Sequence, residues 1–97
     1  MNALDRIEEV RTQVRAIGHR IVMGDTLLET HREVGPMWVG VAKSIVQVLR
    51  EHPDCPVRDE LENMLVLALQ MAQEAADVVE FFQAQELMAD ARRATLH

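Results

Sequence analysis

The sequence predicts an all-α protein: three helices in an antiparallel arrangement, the last one long, dimerising into a larger helical bundle. Three observations carry this. Apolar residues recur every three or four positions over most of the chain. Its four glycines and three prolines leave the last forty residues uninterrupted. The apolar residues are aliphatic, with six Met and only Trp38, Phe81 and Phe82 as aromatics, a palette that suits helix–helix packing. Ninety-seven residues make a single domain.

The first helix is expected over 3–33, with Asn2 as its N-cap. Ile7, Val10, Val14, Ile17, Ile21, Gly24, Leu28 and His31 follow one another at alternating steps of three and four, an unbroken heptad seam. Gly18 and Gly24 each weaken a helix by about 1 kcal/mol relative to Ala, so this one is weakest near its middle. Val34-Gly35-Pro36 reads as a stop followed by a restart, because Gly suits the residue after a helix and Pro the first residue of the next. The second helix is expected over 36–51, with Trp38, Val41, Ile45, Val48 and Leu49 inward. Pro53 and Pro56 end it.

The third helix is expected over 57–93 and contains no Gly or Pro. At 1.5 Å per residue it extends roughly 50 Å. Leu61, Met64, Leu65, Ala68, Met71, Ala72, Ala75, Val78, Val79 and Phe82 make a wide apolar face. Between Met64 and Leu69 the helix is apolar on every side, and such a helix is buried on every side. Two other helices, one of them short, cannot enclose it. Val66, Leu67 and Leu69 are therefore expected at a homodimer interface.

The net charge is −6, and no Lys or Arg occurs between Asp59 and Asp90. A nucleic-acid binder needs a basic face to displace phosphate counterions, so duplex DNA and RNA are not expected partners. An acidic helix favours a basic protein partner. Cys55 is the single cysteine, in the loop His52-Pro53-Asp54-Cys55-Pro56, where it is expected as an exposed turn thiol. One unpaired thiol fits a reducing cytoplasm. The first residues lack the charged and apolar series of a signal peptide. The apolar stretch from Gly35 to Leu49 is shorter than the roughly 20 residues that cross a bilayer, so no membrane association is expected.

Chemistry has few candidates. There is no Glu-x-x-His, no His pair at i, i+4 and no Cys-x-x-Cys, so neither a di-iron nor a zinc site is expected. His31, on the seam, reads as a packed or hydrogen-bonded residue. No glycine-rich phosphate loop is present. No catalytic residue, cofactor or metal is assigned.

Trp38-Val39-Gly40 resembles the Trp-x-Gly signature of the WxG family, helical-hairpin substrates of type VII secretion. The resemblance implies a dimeric all-helical protein with the motif just after the first helix. The family's C-terminal Tyr-x-x-x-Asp/Glu export signal would correspond to Phe82-x-x-x-Glu86, with Phe in place of Tyr. Pro53 and Pro56 depart from the family's long second helix. Arg92-x-x-x-x-His97 is similar to the Arg–His spacing of HEPN-type ribonucleases, though here it follows an acidic helix that would repel RNA.

The remaining apolar residues suit protein binding. Phe81 and Phe82 are adjacent and point about 100° apart. With Phe82 toward the core, Phe81 aligns with Ala84 and Met88 in a second stripe beside Glu74 and Asp77. Met37, Trp38 and Val39 form a further candidate patch. Flexible Met-containing stripes suit adaptable recognition. The expected function is a non-enzymatic regulatory adaptor or inhibitor, an antiactivator of a transcription regulator being the favoured form.

Overall fold

The computed structural model describes residues 2–95, which form three helices and no strand: α1 (Ala3–Met23), α2 (Leu27–Glu51) and α3 (Arg58–Thr95). Helix α1 begins where the sequence requires. The Asn2 side chain accepts a hydrogen bond from the Asp5 amide at 2.9 Å, satisfying one of the free N–H groups of the first turn.

The first two helices divide at a different place from the expected one. Helix α1 does not reach residue 33; it stops at Met23, and the chain is extended at Gly24 and Thr26. Thr26 caps α2 by accepting from the Glu29 amide at 3.1 Å. Thr26-x-x-Glu29 has the spacing of a capping box, a start signal that competes with the heptad seam and wins. Gly24 is needed here: a Cβ on it would collide with the Thr30 hydroxyl and come within 3.3 Å of the Arg20 carbonyl oxygen. An ion pair between Arg20 and Glu33 ties the end of α1 to α2 across the corner.

The expected stop at Gly35-Pro36 is absent, and α2 runs through both residues. Gly35 is buried, and a Cβ there would lie 3.3 Å from the Ala75 Cβ of α3. The glycine serves close helix approach rather than a helix end. Pro36 has no N–H to donate to the Arg32 carbonyl, but both residues are exposed, so water can reach that carbonyl.

The core lies along α2, which packs against α1 on one flank and α3 on the other. Val41, Ile45 and Val48 are fully buried, joined by Val10 and Ile17 from α1 and by Leu61 and Ala68 from α3. The α3 face read from the sequence is the face that packs: Leu61, Ala68 and Ala75 are buried, and its other members are half-buried. Cys55 is not an exposed turn thiol. It is 7% exposed and belongs to the core cluster, where its small apolar side chain fills the α2–α3 turn.

The molecule is long and thin, 65 × 24 × 18 Å. Its radius of gyration is 17.8 Å, against about 12.5 Å for a compact chain of this length. The accessible surface is 6884 Å², whereas a compact monomer of this mass exposes roughly 5,600 Å². The excess comes largely from α3. From Gln83 to Thr95 every residue but Ala89 is exposed, a projection of about 20 Å.

Candidate interaction surfaces

The core leaves apolar side chains exposed in several places, among them Ile21, Val22, Met23 and Leu27 at the α1–α2 corner; two further surfaces hold most of the residues selected from sequence. The first is a trough between α2 and α3. It consists of two hollows of about 910 and 660 Å³ that share Val39 and Lys43. Val46, Leu65 and Leu69 line one end, and Pro36, Ala72 and Ala76 the other. Arg32, Lys43 and Arg50 stand along its α2 side. Lys43 and Arg50 make no ion pair among the described residues, and Arg32 reaches only Glu29, at 3.9 Å. The trough is therefore apolar at its floor and basic along one rim.

The second surface is the projecting part of α3. Phe81 is 58% exposed, Met88 52% and Leu87 70%, and Ala84 is exposed beside them. Phe82 is half-buried, and the two rings meet edge to face with centroids 5.6 Å apart. Phe82 thus faces the core side while Phe81 stands free. Thirteen helical residues without a neighbour are marginal in water, because isolated helices below roughly 12–15 residues rarely hold.

The residues selected from sequence are not one site. Phe81, Ala84 and Met88 share the outer side of α3. Val39, 39% exposed, lies in the trough. Trp38 is 8% exposed and part of the core, and Met37 packs half-buried against it, so neither offers much free surface. Val66, Leu67 and Leu69 are all about half exposed. Leu69 borders the trough, but Leu67 sits two residues away, about 200° around the helix.

Sequence reading passed over Lys43 and Arg50, which become neighbours of the trough only when α3 packs on α2. It also passed over Leu87. The signal for Leu87 is a second heptad row, with Val66, Leu69, Gln73, Ala76, Glu80, Gln83 and Leu87 at alternating steps of three and four.

A smaller recess of about 330 Å³ lies at the α1–α2 corner, between Ile21, Thr30, Trp38 and Met71. The indole N–H of Trp38 has no hydrogen-bond partner among the described residues. His31 borders this recess, and its Nδ1 lies 2.7 Å from the Leu27 carbonyl oxygen, which accepts its proton. His52 and Cys55 are not joined by a hydrogen bond between side chains; the Cys55 amide donates to the His52 carbonyl at 3.0 Å. Among the described residues no three His, Cys, Asp or Glu side chains converge on a metal position. No described helix is long and apolar enough to cross a membrane.

Trp38-Val39-Gly40 lies inside α2, twelve residues beyond the Thr26 cap, and not just after the first helix, which ends at Met23. Of the Arg92–His97 pair, Arg92 is exposed near the end of α3 and His97 lies outside the described residues. Neither a protein-family model, nor a curated protein, nor a solved structure matches the chain.

Proposed function

We propose that the protein is a small, non-enzymatic regulatory adaptor or inhibitor that binds another protein through apolar helix faces. The supporting observation is the free outer side of α3, where Phe81 and Met88 are each more than half exposed. An aromatic anchor on a helix is the usual energetic centre of such an interface, on the order of 2 kcal/mol or more when truncated. Glu74 and Asp77 stand beside it, exposed and without an ion pair among the described residues. They would steer a partner with a basic rim.

In this reading the chain is cytoplasmic, its helices run antiparallel in sequence order, and two copies combine into a larger bundle. Its favoured action is that of an antiactivator, which occupies the apolar surface through which a transcription regulator pairs with itself. That narrower form rests on architectural analogy.

The test is capture from native lysate with tagged protein, followed by identification of what is held. Phe81→Ala should leave helicity and oligomer mass unchanged and weaken capture at least tenfold. A sharp fall in melting temperature or loss of the oligomer with Phe81→Ala would make the stripe structural. Capture that ignores the substitution would place the partner surface elsewhere.

A further inference from the structure

The excess surface, the basic-rimmed trough and the unsupported end of α3 have a common explanation. We infer that a second copy of the chain fills the trough, its α3 lying antiparallel along the α3 of the first, with the two-fold axis near Val78. The inference rests on the self-association proposed above and assigns its seam and register.

The argument begins with the row that borders the trough. Leu69, Ala76, Glu80 and Gln83 line it, and Leu87 continues the same row one turn later. A two-fold axis near Val78 sets Leu69 beside the second copy's Leu87, Gln73 beside its Gln83, and Ala76 beside its Glu80. Both leucines are more than half exposed in the single chain, at 54% and 70%. The glutamine pair offers each amide a partner. Ala76 is small, which lets the two helices approach near the axis.

Charge selects the same occupant. Among the described residues, the trough's cations without an ion pair are Lys43 and Arg50, and α3 carries no cation between Asp59 and Asp90. In this register the second copy's Glu80, beside Ala76, comes to the Gly35 level near Arg32, and its Glu86 comes to the Lys43 segment. A basic rim receives an acidic helix, which sets both orientation and specificity.

Length and area agree. The projecting turns after Phe82 would lie beside residues 61–72 of the other copy, where α2 forms the opposite wall of the trough. The helix that is unsupported in one chain is then flanked on two sides. The excess surface of one chain over a compact monomer is roughly 1,300 Å², so two copies burying their excess reach the 2,000 Å² and more of obligate homodimers.

This register separates the two α3 surfaces. Leu67 falls on the far flank, about 200° from Leu69, and Phe81 lies roughly a third of a turn from the seam. Both stay outside the interface, which leaves Phe81 free for a partner.

Disulfide trapping tests the register in the full chain carrying Cys55→Ala, with helicity checked by circular dichroism. Leu69→Cys combined with Leu87→Cys should give a covalent dimer on mild oxidation, and each alone should not, because a disulfide requires Cα atoms within about 7 Å. In light scattering at micromolar concentration, Leu69→Glu should raise the dimer dissociation constant at least tenfold, and Leu67→Glu should leave it unchanged. Self-linking of Leu69→Cys alone would indicate parallel helices and overturn the inference, as would a dimer in which the double variant fails to link. A native chain that is monomeric at this concentration would overturn both the inference and the self-association beneath it. Loss of capture by Phe81→Ala is read separately and bears only on the proposed adaptor role.

Discussion

One substitution at two glycines distinguishes the observed corner from the continuous first helix that periodicity predicts. Were residues 3–33 a single helix, Gly18→Ala and Gly24→Ala would each stabilise the protein by about 1 kcal/mol through helix propensity alone. The structure gives them opposite signs. Gly18 lies inside α1, is exposed, and has nothing within 4 Å of an added Cβ. Gly18→Ala should therefore deliver the full gain of about 1 kcal/mol, or roughly 4–8 °C in melting temperature. Gly24 follows the helix end with extended backbone, so it has no helical propensity to gain. Its added methyl would overlap the Thr30 hydroxyl and approach Thr30 Cβ at 3.1 Å and the Arg20 carbonyl at 3.3 Å. Thr30 is buried and β-branched, so it has little freedom to turn away. Overpacking of this kind costs about 1–3 kcal/mol, which separates the two variants by roughly 2–4 kcal/mol. Urea unfolding followed by circular dichroism measures this from the midpoint, provided the slope is unchanged and the protein concentration is fixed, since self-association adds to apparent stability. Stabilisation by both substitutions would refute the corner and the Thr26 cap with it.

Other expectations follow from the core and from the distribution of charge. Ile45 is fully buried in the core along α2, which packs α1 on one flank and α3 on the other, so Ile45→Ala should lower stability by about 2–5 kcal/mol in the same urea assay; a loss under 1 kcal/mol would mean that α2 is not the centre of the core. Zinc or ferrous iron should leave the melting temperature unchanged, because no ligand set converges among the described residues, and a rise reversed by a chelator would refute this. Duplex DNA and RNA should not bind at physiological salt, given the net charge of −6; a salt-sensitive gel shift would contradict it.

Local chemistry made much of this protein legible from its sequence. A cap needs only Asn2 and the amide three residues on. The buried face of α3 needs only the 3.6-residue period, and the residues from Leu61 to Phe82 that share that phase are the ones that pack. The absence of Gly and Pro after residue 56 made α3 a single helix. Phe81 stands free of the core for the same periodic reason that Phe82 does not. What the sequence left ambiguous was the choice among competing local signals, and tertiary packing decided it. Gly35-Pro36 carries the composition of a helix boundary. Yet the missing Cβ of Gly35 lets α2 approach Ala75, and burial of Val34, Trp38 and Val41 along one continuous helix outweighs the hydrogen bond that Pro36 removes. The boundary moved instead to Gly24, where the Thr26 cap and the space beside Thr30 favour a corner over one more turn of the heptad seam. Cys55 likewise has the sequence context of an exposed turn, and only the fold turns it inward. The trough follows the same rule: Lys43 and Arg50 are separated from Leu69 by a turn and two helical segments, and only the packing of α3 on α2 brings an apolar floor and a basic rim together.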